Sequence, residues 1–315
     1  MNNKLVRRIV LIVALAVAVY SGARLIGYIA QNARTHRIND ENMRMLNATA
    51  TPVTDEVTVT PEPAAETEPP VSVTEISATE QPSAPEQTAV EEVTPAPTLR
   101  SFMSLGNASA TIPPVSDNLR ELHRVYPNVV GWLNVHCNKR INFAIVQKNN
   151  EYYLDHDMTG AKNVTGAPFL DEVCSVWPRS ENLVIYGHNM KSGEMFGELN
   201  RLRDRTVLAS DPFVTFSTLY ETDEYAPLYI GICSVYDVPF YRQSFADENE
   251  FDSFISILRQ NSEVRLNTDA IYGDDLLTLV TCCDGSDDKR MVVVLRKIRE
   301  NENLTMLKRS IFPSA

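Results

Sequence analysis

The block from residue 51 to residue 100 constrains this chain most. It holds nine of the eighteen prolines, ten acidic residues and a single Arg, a local net charge of −9. Thr, Ala and Val fill the gaps. Such a segment cannot bury enough apolar area to offset its ordering entropy, and proline denies it regular ladders. A compact fold must therefore lie outside it. The block accounts for most of the formal net charge of −12. That balance disfavours a nucleic-acid partner, because nothing is placed to neutralise phosphates.

On its N-terminal side lies an apolar run. Lys4, Arg7 and Arg8 precede residues 9–23, and residues 25–30 continue the run after Arg24. About 20 apolar residues suffice to cross a bilayer. Arg24 is near the far end, where its side chain can reach the interface. The basic residues before the run place the N-terminus in the cytoplasm and the remainder outside. A cleaved signal peptide is the alternative, since Ser21-Gly22-Ala23 is a patch of small residues. The expected organisation has four parts: 1–31 a cytoplasmic tip and signal anchor, 32–115 a juxtamembrane segment and disordered linker, 116–300 the folded domain, and 301–315 a tail. Some 65 linker residues would span about 45 Å as a coil, which suits a tether holding a domain away from a membrane.

The foldable part alternates short apolar runs with turns. The runs are 129–135, 141–146, 168–170, 183–186, 213–216, 227–235, 276–282 and 291–295. Their length and their Val, Ile and Tyr content predict strands. Helical spacing appears at 118–126, with Asp117 as N-cap, at 193–204, and at 248–260, where Phe251, Phe254, Ile255 and Leu258 share a face. Many strands without a βαβ rhythm predict a mainly β, largely antiparallel or mixed barrel.

Five cysteines at irregular spacing, Cys137, Cys174, Cys233, Cys282 and Cys283, make neither a disulfide framework nor a zinc site. Three local features bear on chemistry. The strand Thr278-Leu279-Val280-Thr281-Cys282 ends in a thiol. Tyr186-Gly187-His188-Asn189 runs from a strand into a turn bearing an imidazole. Arg290 opens Arg290-Met291-Val292-Val293-Val294. A thiolate to attack a carbonyl, an imidazolium to protonate a leaving amine and a fixed cation for the oxyanion make up a thiol acyl-transferase. Spacing alone leaves plainer readings open: a core cysteine, a turn histidine and an edge-strand charge.

Together these motifs resemble the sortase family. TLVTC is similar to its TLxTC signature, Arg290 follows eight residues after the Cys, and YGHN resembles the histidine motif. VVGWL at 129–133, YYLDHD at 152–157, GAPFLD at 166–171, Glu194-Met195-Phe196 and the helix at 248–260 resemble class B in particular. The resemblance covers about residues 116–300. It implies an eight-stranded barrel and a site needing neither cofactor nor metal. It implies cleavage after Thr in the C-terminal sorting signal of surface proteins on a Gram-positive cell. The acyl group would pass through a Cys282 thioester to an amine acceptor on peptidoglycan or a pilin. His188 would serve as acid then base, and Arg290 would bind substrate and steady the oxyanion.

Cys283 follows Cys282 directly. Neighbouring residues on a strand face opposite ways, so only one can share a cleft with His188, and the motif register selects Cys282. Asp284-Gly285-Ser286-Asp287-Asp288 lacks the spacing of a calcium loop and is expected to be solvated. His156, between Asp155 and Asp157, falls in a stretch expected to be structural. His36, His123 and His136 have no evident partners. Two other functions compete: an exported cysteine peptidase that hydrolyses, and a non-catalytic binding module on a stalk.

Overall fold

The computed structural model describes residues 3–49, 112–283 and 286–312. The acidic proline-rich block lies outside the described residues, as do Asp284 and Gly285.

The eight apolar runs become eight strands: β1 Val129–Val135, β2 Asn142–Val146, β3 Phe169–Leu170, β4 Asn182–Tyr186, β5 Val214–Thr218, β6 Thr222–Ser234, β7 Leu276–Cys283 and β8 Ser286–Lys297. They close into a barrel in the order β1-β2-β3-β4-β7-β8-β6-β5, sealed by antiparallel pairing of β1 with β5. Closure removes the exposed edges that an open sheet would present. The barrel is mixed: β2–β3 and β4–β7 pair in parallel and the rest antiparallel. The expected eight-stranded barrel is the observed fold.

Helices cover the outer surface. α1 is one unbroken helix, Asn3–Thr49. At 1.5 Å per residue its 47 residues run about 70 Å. Its early part is long and apolar enough to cross a membrane, with a mean hydropathy of 1.6 over a window none of which the protein buries. α2, Asp117–Val125, follows Ser116, so the helix starts one residue earlier than an Asp117 cap would give. Leu119 and Leu122 of α2 pack with Trp132, Ala144 and Phe169 on the outside of the sheet.

The stretch 193–204 departs from its expected helix. Gly193 and Met195 take positive φ values of 84° and 51°, and only Leu199–Arg203 form a 3-10 turn before α3, Arg205–Ser210. Two left-handed residues within three positions prevent an α-helical start there. α4, Glu248–Asn261, forms where its spacing predicts. Asp247 caps it by accepting from the Glu250 backbone N–H. Phe251, Phe254, Ile255 and Leu258 are buried, each worth about 1.5–3 kcal/mol. α5, Leu304–Ser310, stands in the expected tail, where Asn303 caps it by accepting from the Met306 N–H and Leu307 packs on Ile311.

Candidate active site

β4 and β7 run in parallel, with Tyr186 registered on Val280. The Gly187 N–H continues this ladder by donating to the Val280 carbonyl at 3.1 Å. His188 and Cys282 each stand two residues past that last registered pair. On the other side of β7, Cys282 is the direct antiparallel partner of Arg290 on β8. Directly opposed residues face the same way, with Cβ atoms about 4.5–5.5 Å apart. Three adjoining strands thus bring His188, Cys282 and Arg290 to one end of the barrel.

Burial distinguishes Cys282 from the other thiols. β7 is buried from Leu276 through Thr281, and Cys282 is exposed. Burial pushes the thiols of Cys137 and Cys233 up to about 11 and that of Cys174 up to about 12. Cys283 is half-buried against the core, and desolvation followed by its neighbour Cys282 raises its thiol. The strand register slips between Cys282 and Cys283, which pairs with Ser286. Four thiols are therefore held protonated, and a single one, Cys282, is open to solvent.

His188 is oriented by backbone. Its Nε2 lies 2.7 Å from the Leu154 carbonyl oxygen. A carbonyl only accepts, so Nε2 carries the proton and Nδ1 is left for proton exchange. Leu154 closes the short 3-10 turn Tyr152–Leu154. Gly166 lets this turn and the imidazole meet. Its φ is +59°, and a Cβ there would overlap the Tyr153 carbonyl and press on the His188 ring. Neither the Leu154 carbonyl nor the role of Gly166 was found from sequence. A backbone acceptor has no residue signature, and the sole hint was the Gly of GAPFLD.

Tyr186 supports the same end. Its hydroxyl donates to Asp171 Oδ2 at 3.0 Å. Burial, then the Asp171 charge, pushes that hydroxyl well above its usual range, while Arg290 is near enough to oppose the shift. The Arg290 guanidinium donates to the Lys289 carbonyl at 2.9 Å.

The remaining histidines sit elsewhere and have partners. His156 stacks on Tyr152 with ring centroids 4.2 Å apart and pairs with Asp155 at 2.6 Å. His36 meets Glu194 at 3.0 Å, His123 meets the Val129 carbonyl, and His136 meets Thr215. Among the described residues, no three His, Cys, Asp or Glu side chains are grouped to hold a metal ion.

A closed barrel presenting an exposed thiol between a histidine and an arginine is what a cysteine acyl-transfer enzyme requires. A sortase-domain family model matches residues 138–298, just over half the chain. A sortase B of Listeria monocytogenes is 30% identical over 189 residues, covering 58% of this chain and 75% of that protein. The crystal structure of a Bacillus anthracis protein similar to sortase B superposes with a TM-score of 0.53 at 28% identity, covering 59% of this chain and 86% of that one. A Staphylococcus aureus sortase B–substrate complex gives 0.55 at 21% identity, covering 60% and 88%, a likeness of fold. The chain belongs to the sortase family of cysteine transpeptidases, alongside its class B members.

Proposed function

We propose that this chain is a membrane-anchored extracellular transpeptidase that cleaves a C-terminal sorting signal after Thr and transfers the protein to an amine. The observation that carries the reading is the register of the exposed Cys282 on Arg290, with His188 at the matching end of β4. The Cys282 thiolate attacks the Thr carbonyl carbon, and the charge that develops on its oxygen is met by the Arg290 guanidinium. His188, as imidazolium, gives its Nδ1 proton to the departing amine, and the C–N bond breaks to leave an acyl thioester on Cys282. The acceptor amine then attacks the thioester carbon. Imidazole takes its proton, the C–S bond breaks, and thiolate and imidazolium are restored. The Leu154 carbonyl holds the ring in one tautomer throughout.

The apolar part of α1 would lie in lipid, with the basic residues before it on the cytoplasmic side and the barrel outside. Its many exposed apolar side chains, Leu15, Val19 and Ile26 among them, support that environment. The substrates are then surface proteins bearing a sorting signal, and the acceptor an amine of peptidoglycan or a pilin.

The test incubates the full chain with a sorting-signal peptide, with and without an added amine, and weighs the products. An amine adduct formed at the Thr carbonyl is expected. Free Thr acid alone, whatever the amine concentration, would make the enzyme a hydrolase.

A further inference from the structure

α1 does two things along one unbroken rod. From Val13 to Gly27 its large side chains are exposed. From Tyr28 onward a stripe turns inward: Tyr28, Thr35, Asn39, Asn42 and Leu46 recur at three-, four- and seven-residue steps, one face of a helix.

That stripe is bonded to the barrel throughout. Tyr28 donates to Ser192 Oγ at 3.1 Å. Arg34 pairs with the buried Asp157 at 2.9 Å, and Thr35 meets Thr165 and Asn163 at 2.9 and 3.0 Å. His36 meets the buried Glu194, and Asn39 donates to the Asn142 carbonyl. Met43, Met45 and Leu46 then join the apolar cluster of α2. Most of these partners lie in two segments, 157–165 and 192–194. The first connects Leu154 to Gly166. The second is the loop that carries His188, closed by the Phe196 N–H donating to the His188 carbonyl at 3.0 Å. The stripe therefore grips both segments that frame the imidazole.

The apolar run ends at Ala30, and its first barrel contact is Tyr28. The end of the span and the start of the dock coincide. The chain leaves the barrel at Thr49 and returns at Asp117 on α2, which packs against α1.

We propose that residues 28–46 are a docking arm that seats the His188 end of the barrel directly on the lipid surface. This rests on the anchor reading under Proposed function. The catalytic end then faces substrates and acceptors held at the membrane, at a height set by the helix itself.

The test places a fluorescent amino acid at Lys191, an exposed neighbour of Ser192, in the full chain reconstituted in vesicles of phosphatidylcholine and phosphatidylglycerol carrying a headgroup spin label. A second chain carries it at Arg309 on α5. Flotation reports anchoring separately. Strong quenching at 191, several-fold above that at 309, is expected. Inserting eight Gly and Ser residues between Ala30 and Gln31 leaves the span and the contacts from Arg34 onward intact but uncouples them, and quenching at 191 should fall several-fold while flotation persists. Thr35→Arg, which forces a charge against Thr165, should do the same. Chains that float with equal quenching at the two positions, or with quenching at 191 unchanged by the insertion, overturn the proposal. Chains that do not float overturn the anchor reading and this one together.

Discussion

The β7–β8 ladder carries an arginine at each end, and the two ends are opposites. Arg296, opposite Leu276, is fully buried. Its guanidinium donates to both Glu302 oxygens at 2.5 and 2.8 Å, to the Asp269 carbonyl at 2.9 Å and to the Lys297 carbonyl at 3.0 Å. Arg290, opposite Cys282, is half-exposed beside a thiol. A guanidinium whose donors are met by fixed carboxylates and carbonyls stabilises the fold. One on the last regular rung before the register slip, opposite an exposed thiol, is placed in the proposed reading to meet charge that arrives with substrate. Arc by arc, the same residue type on the same strand is structural at one end and, in the reading proposed above, chemical at the other.

The sharpest break of that contrast is Cys282→Ala. Peptide turnover should fall at least ~10³-fold, and mass spectrometry should find no acyl adduct. Retained turnover would move the nucleophile elsewhere. Next comes the arginine pair. Arg290→Met should lower kcat/KM by about 10²–10³-fold while the denaturation midpoint barely moves. Arg296→Met should do the reverse, costing about 3–5 kcal/mol of stability because it strips the cation from a buried pair, with turnover kept at low temperature. Loss of activity in both without loss of stability in either would erase the distinction between the ends.

A smaller effect separates the ends by pH. Hydrogen bonding to Arg296 lowers the Glu302 carboxyl below its usual range, against an opposing desolvation. A depressed folded pKa stabilises the fold fully above the unfolded value of about 4.3, and the contribution is lost as pH falls through the folded value. Denaturant midpoints taken from about pH 6 down to pH 3 should therefore fall less steeply in Glu302→Gln than in the parent, from a lower starting point. An unchanged acid slope would show that the pair does not carry it.

What could be read beforehand follows from how each feature is encoded. Strands at 129–135 or 276–282 announce themselves because both barrel faces are covered and the runs are nearly continuous in apolar residues. His188, Cys282 and Arg290 were legible as motifs, but their proximity depends on the parallel β4–β7 pairing, which no local pattern specifies. The stretch 193–204 misled because its apolar spacing is helical while Gly193 and Met195 adopt left-handed backbone. The docking stripe of α1 was unreadable for the opposite reason: Thr35, His36, Asn39 and Asn42 are polar, and a polar stripe resembles a solvated face until its partners are known. The Leu154 carbonyl is backbone and leaves no mark in any sequence.

The smallest expected effect concerns the neighbour. Cys283 shares a peptide bond with Cys282, yet the register slip turns it toward Ser286 and the core. Cys283→Ala removes a half-buried sulfur with no place among the reacting atoms, so turnover should stay within about twofold of the parent. Alkylation at about pH 8 reads the same geometry without mutation. Iodoacetamide should modify the exposed Cys282 first. Cys174, with its thiol pushed up to about 12, should react only on unfolding, because thiolate and not thiol is the nucleophile. Cys283 should fall between them, since it is half-buried where Cys174 is buried. If Cys283 were labelled first, or if Cys283→Ala removed turnover while Cys282→Ala kept it, the reacting face of β7 would be the other one, and Arg290 would stand opposite the wrong thiol.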